Sequence, residues 1–306
     1  MQPPNFRTRI LLDAALDGVF LLIFSQTAIA LQMSRRKKIE RKTQPTSLGE
    51  QISEGDLQQS LEHAVTQHGE GNLVEAETAY RQILNTIPDH PIALHYLGVL
   101  MFQRDEHSDA KQMIEQALSI APDYADARHN LGRVLYELGD FNGARESYGL
   151  ALKYDPESAE THNFLGLTYE ALGMLEQAIT CFEAALTLQP NYLDALNNLG
   201  NSLRIVKRSK EAIKAFRTAI DIDPNFFEGH HNLANTLQDL NQLEEAALSY
   251  RRALEINPDF DETKKNLGTC LLGCGSHREG LQYLQQSCGV IEFTGSEKPD
   301  WRLLYK

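Results

Sequence analysis

The chain has 306 residues and a formal charge of -13, and that charge is unevenly placed: residues 1–56 carry 8 basic and 6 acidic side chains, residues 57–306 carry 21 and 36. A body with a net charge of -15 repels a phosphate backbone, which excludes nucleic acid as its main partner. Four cysteines, Cys181, Cys270, Cys274 and Cys288, form no short secreted framework, and a reducing cytoplasm follows as the compartment.

In chain order, residues 9–33 make the only long apolar segment, RILLDAALDGVFLLIFSQTAIALQM, followed at once by Arg35, Arg36, Lys37, Lys38, Arg41 and Lys42. An N-terminal apolar helix with a basic flank is therefore predicted over 1–42. Its charge-free part, Gly18–Ser34, falls short of the roughly 20 residues a membrane span needs. Three readings stand: a short span, a peripheral or docked helix, and a signal peptide cut after Ala28-Ile29-Ala30. The basic cluster directly after that box opposes export. In the first reading the repeats that follow are tethered on the cytoplasmic side, with membrane contact through residues 9–38. Residues 43–56, TQPTSLGEQISEGD, are polar, contain Pro and Gly, lack a helical apolar period and read as a linker.

From Leu57 the sequence repeats every 34 residues without insertion, in units 57–90, 91–124, 125–158, 159–192, 193–226, 227–260 and 261–294. Counting each unit from 1, position 8 holds Ala64, Gly98, Gly132, Gly166, Gly200, Ala234 and Gly268. Position 20 holds Ala76, Ala110, Ala144, Ala178, Ala212, Ala246 and Gly280, and position 32 holds proline from Pro88 to Pro258. Positions 4, 7, 8 and 11, and again 20, 24, 27 and 28, have the spacing of one helical face, so each unit predicts two amphipathic helices with no strand. Small residues at 8, 20 and 27 allow close approach, and Tyr, Phe or Ile at 24 fills the space beside them. The first unit is weakly marked, and the last is degenerate, with Gly280, Ser287 and Glu292 where Ala, Ala and Pro stand elsewhere. Residues 295–306 lie beyond the period as a C-terminal tail.

This register of small residues, aromatics and proline resembles the tetratricopeptide repeat family. The resemblance implies an all-α superhelical solenoid of antiparallel helix pairs, separate from the N-terminal apolar helix, whose concave side is lined by the first helix of each unit. It also implies a non-catalytic scaffold that holds an extended or helical segment of another protein in that groove.

Position 6 carries Asn130, Asn198, Asn232 and Asn266, and position 9 carries Asn201 and Asn235, on the helix side opposite the apolar positions. An amide offers donor and acceptor together, so a row of them suits the backbone of an extended peptide. The row is similar to the asparagine ladder in the repeats of O-linked N-acetylglucosamine transferases, which implies a second reading as the substrate-recognition part of a glycosyltransferase. That reading expects a catalytic domain after the repeats, whereas twelve residues follow here. Tyr96 and Phe164 interrupt the row, so a continuous groove begins near Asp194. Asp126, Glu160, Asp194, Glu228 and Glu262 at position 2 suit a basic partner, although an acid in a first turn is also explained by the helix dipole. No unit pair carries the two-lysine carboxylate clamp of chaperone-binding repeats, with only Lys265 and Arg133 in partial register. Cys274 at position 14 and Cys288 at position 28 fall where Leu, Val or Ile stands in other units, so the cysteines read as small core residues and no metal or other cofactor is expected. No nucleophile elbow, phosphate-binding loop or zinc-protease signature is present, and no enzyme activity is expected.

Overall fold

The computed structural model describes residues 54–288, 291–294 and 300–303. The apolar segment 9–33 and its basic flank lie outside the described residues. Fourteen helices run in chain order among those described: α1 (Glu54–Gly69), α2 (Leu73–Thr86), α3 (Pro91–Gln103), α4 (His107–Ile120), α5 (Ala125–Glu137), α6 (Phe141–Tyr154), α7 (Ala159–Ala171), α8 (Leu175–Leu188), α9 (Leu193–Ile205), α10 (Ser209–Ile222), α11 (Phe227–Asp239), α12 (Leu243–Ile256), α13 (Asp261–Gly273) and α14 (His277–Cys288). They belong to two compact units dividing after Pro156, α1–α6 in the first and α7–α14 in the second. Each unit is a stack of helix pairs.

Two features depart from the sequence reading. Helix α1 begins at Glu54, inside the segment read as linker. The all-helix expectation also ends at Cys288, because β1 (Ile291–Thr294) pairs antiparallel with β2 (Asp300–Leu303), Phe293 opposite Trp301. The seventh unit lacks the proline that closes the others, and Ile291, Phe293 and Thr294 are residues that favour extended backbone.

The close approach expected at position 8 is present. A Cβ built on Gly166 would stand 2.5 Å from Phe182 Cε1, one on Gly200 2.5 Å from Phe216, and one on Gly132 2.6 Å from Tyr148. Each of those rings is fully buried, so the glycine lets the second helix of a pair lie directly on the first. The turn between paired helices needs a left-handed residue, supplied by Gly71, Gly139, Gly173 and Gly275. Asp105 (φ 61), Lys207 (φ 64) and Asn241 (φ 58) take the same conformation where glycine is missing. Asp and Asn tolerate this conformation, so the fold overrides the residue preference most clearly at Lys207.

The buried face is wider than the register suggested. Positions 3 and 10, from Ala93 and Leu100 through Thr263 and Cys270, are as buried as positions 7 and 8. Position 4, expected to be apolar core, is instead polar in five repeats. Arg128 donates from Nε and Nη2 to the carbonyl of Pro122, and His230 Nε2 lies 3.1 Å from the carbonyl of Pro224. These side chains tie a first helix to the proline turn before it, which satisfies a carbonyl that proline's own geometry leaves outside any helix.

Candidate partner-binding face

The first helices of the second unit, α7, α9, α11 and α13, bring most of the asparagines together. Position 6 was expected on a face left free by packing, and the structure corrects this. Asn198 is 5% exposed, and Asn232 and Asn266 are half-buried, each against the first helix of the repeat before it. Asn198 Nδ2 donates to Asn163 Oδ1 at 3.0 Å, and Asn232 Nδ2 donates to Asn197 Oδ1 at 2.8 Å. Both acceptors occupy position 5, so the bridge joins residues 35 apart in sequence. Asn266 Nδ2 instead reaches Asn235 Oδ1 at 3.1 Å, while His231, the position-5 residue of its neighbour, is engaged through Nδ1 with Thr263 Oγ1 at 2.7 Å.

Asn235 Oδ1 also lies 2.6 Å from the hydroxyl of Tyr250, which stands 2.7 Å from Gln238 Oε1. Burial raises the Tyr250 phenol well above its ordinary range, with the neighbouring Cys270 adding to the effect, so the hydroxyl keeps its proton and donates. Burial, with the positive charge of Arg204 second, pushes His231 down to about 4. At neutral pH it is an uncharged ring, edge-on to Phe260 and Tyr250. The half-buried side chain of Asn201 makes no hydrogen bond among the described residues and is the amide of the row left unbridged.

In the first unit Asn130 is alone. Its Nδ2 donates to His95 Nε2 at 2.9 Å, again from position 6 to position 5, while His95 Nδ1 lies 2.9 Å from the Tyr124 hydroxyl. Tyr96, which interrupts the row, stacks on Tyr80 with ring centroids 6.0 Å apart. Sequence reasoning missed the position-5 partners, although the 35-residue offset between Asn163 and Asn198 and between Asn197 and Asn232 was visible once both columns were read together.

The position-2 acids stand in the first turns of α5, α7, α9, α11 and α13, where the helix dipole stabilises them. Glu160, Asp194 and Glu262 are exposed. The cysteine reading needs one correction: position 14 lies at the margin of the core, with Leu138 and Leu240 each 44% exposed and Val206 and Cys274 half-buried. It is the residue that ends the first helix, so it sits at the rim of the turn. Cys270 is buried as expected, and burial pushes its thiol, like that of Cys181, up to about 11. Such thiols are poor nucleophiles. Among the described residues no helix is long and apolar enough to cross a membrane.

Comparison with known proteins agrees with the helix-pair fold. The family described as the cilia and flagella-associated protein 70 C-terminal domain matches residues 22–271. No curated protein matches the chain. Among solved structures, YrrB, described as a TPR protein with an unusual peptide-binding site, aligns with a TM-score of 0.53 and 20% identity over 65% of this chain and 98% of its own. PilF of Pseudomonas aeruginosa aligns with a TM-score of 0.57 and 22% identity over 64% of this chain and 90% of its own. The Cut9–Hcn1 hetero-tetramer of the APC/C gives 0.59 and 18% over 70% of this chain and 43% of its own. At these identities the likeness shows the fold.

Proposed function

Because this chain belongs to the cilia and flagella-associated protein 70 C-terminal domain family, a family of tetratricopeptide repeats, we propose that it is a non-catalytic scaffold holding an extended segment of another protein along its first helices. The observation that carries the reading is the recurring amide bridge in the second unit. An asparagine offers two N–H donors and a carbonyl acceptor, and the bridge uses one donor each of Asn232 and Asn266. The bridges hold the amide planes in fixed orientation, so little side-chain entropy is lost when a peptide backbone docks on them. Asn201 adds an unbridged amide in the same row. The exposed acids at the starts of α7, α9 and α13 favour a basic segment. YrrB, with the same fold, is described as having a peptide-binding site, which supports this use of the fold. The apolar segment and basic cluster of residues 9–38 support a membrane contact that keeps the scaffold on the cytoplasmic side.

The test uses the full chain and a fluorescein-labelled, unstructured peptide of alternating Lys and Ala. N201A/N232A/N266A is expected to bind roughly tenfold more weakly or worse, at about 0.5–1.5 kcal/mol per lost hydrogen bond. Equal affinity of the variant and the natural chain overturns the reading.

A further inference from the structure

We propose a second docking site on the solvent face of α10 and α12, for an acidic peptide segment with an aliphatic anchor. Three observations converge on it. Position 22 faces solvent on every second helix and is polar in six repeats, as Thr78, Gln112, Glu146, Thr180, Lys214 and Gln282. In the sixth it is Leu248, 68% exposed. An isolated exposed leucine is ordinary, but this one lines an open surface depression of about 330 Å³ whose apolar lining continues through Ile220 and Leu233. Arg217 and Arg252 line the same depression.

The third observation is charge. Positions 18, 22 and 25 lie on one helical face. In α10 they are Lys210, Lys214 and Arg217, all exposed, and no other repeat places three bases there. The stripe runs roughly 10 Å along the helix and leads to the depression. It stands out in a body whose net charge over residues 57–306 is -15. Lys210 and Lys214 have no ion pair among the described residues. Arg217 pairs with Glu245 at 3.6 Å and Arg252 with Glu255 at 2.8 Å, both on the surface. Such pairs exchange at little cost, and each guanidinium has donors to spare. Asp221, the acid among the lining residues, keeps a ligand carboxylate away from itself and leaves the arginines and the lysine stripe as the places where one can sit. A leucine or isoleucine would enter between Ile220, Leu233 and Leu248, with acids flanking it on the Lys210 side and at Arg252.

This site prefers the opposite charge from the amide row and is built mainly from α10 and α12, with only His230 and Leu233 of α11 in its lining, so the two can be tested apart. Fluorescence anisotropy of the full chain with a short synthetic peptide of Asp and Glu around a single Leu is expected to show saturable binding that weakens with salt. L248Q installs the residue that repeats 2 and 7 carry and should weaken binding roughly tenfold, as should Leu→Ala in the peptide, with little further loss when the two are combined. K210Q/K214Q/R217Q should lose most of the salt dependence. Melting temperatures of both variants should match the natural chain, since every altered side chain is exposed. The proposal falls if the peptide does not bind, if the variants bind it equally, or if a Lys-for-acid peptide competes as well. It also falls if sedimentation shows that the chain self-associates and L248Q alone abolishes this, which would make the patch a contact between copies.

Discussion

Gly166→Ala and Gly149→Ala are the same chemical change in the middle of a helix, and the structure predicts opposite signs. In an exposed helix interior, alanine is better than glycine by roughly 0.5–1 kcal/mol because glycine loses more backbone freedom on folding. Gly149 meets nothing within 4 Å of a built Cβ, so that gain should appear in full. At Gly166 the same methyl would stand 2.5 Å from Phe182 Cε1 and 2.7 Å from Cδ1. Carbon contacts settle near 3.5–4.0 Å, so the ring must move by roughly 1 Å or more. Phe182 is fully buried among Ala178, Ile179 and residues of the next repeat, including Leu199 and Phe216, and has nowhere to go. Overpacking of this kind costs about 1–3 kcal/mol, which exceeds the backbone gain and leaves G166A about 1–2 kcal/mol less stable. Repeats 1 and 6 carry Ala64 and Ala234 at the same position, fully buried, so those helix pairs already accommodate the methyl. Because repeat arrays depart from two-state unfolding, amide hydrogen exchange is the better readout. Protection should fall in α7 and α8 for G166A and rise in α6 for G149A. Equal gains in both variants would refute the packing argument.

Lys207→Gly should stabilise the α9–α10 turn by roughly 0.5–1 kcal/mol, because a left-handed lysine costs about 1–2 kcal/mol and glycine returns part of that as lost backbone entropy; an unchanged or lower melting temperature contradicts it. His90 and His231 sit at about 4 in the folded chain against 6.5 when unfolded, so their contribution is complete above pH 6.5 and is lost as pH falls toward 4. At pH 5 the loss is about 2 kcal/mol per histidine, and H231N, which places there the residue of Asn163 and Asn197, should remove its share from urea unfolding of the second unit. A chain beginning at Gln51 should lose membrane association on fractionation; equal solubility of both forms refutes the tether.

The helix pairs were legible because packing writes directly into sequence at fixed intervals. Gly166 and Phe182 are 16 residues apart in each description, one as a pattern and one as a contact. The repeat register marks the inter-helix turns at glycine and equally at Asp105, Lys207 and Asn241, which stand in glycine's place and take its left-handed φ. Position 4 was misread. Arg128 and His230 keep the place of an apolar residue but spend it on a proline carbonyl of the preceding repeat, a partner that helical periodicity does not see.

The amide row was misplaced by the same omission, and the error bears on how binding can work. A helix taken alone has a packed face and a free face, and position 6 falls on the free one. In a stack, the preceding first helix covers part of that face, and Asn198 becomes buried by reaching Asn163. An amide in this position closes the joint between repeats through its Nδ2, and under the proposed function the half-buried Asn232 and Asn266 would also meet a peptide along the row. Removing it leaves a buried acceptor without a donor, a loss of about 1–3 kcal/mol in the stack itself. Stability and affinity are then linked at Asn198, Asn232 and Asn266 and separable at Asn201, which has no such bridge. A peptide that draws on the bridged amides tightens the joints it lies across, so its binding should slow hydrogen exchange in α9 and α11 even where it makes no contact. A peptide held elsewhere would leave that exchange unchanged.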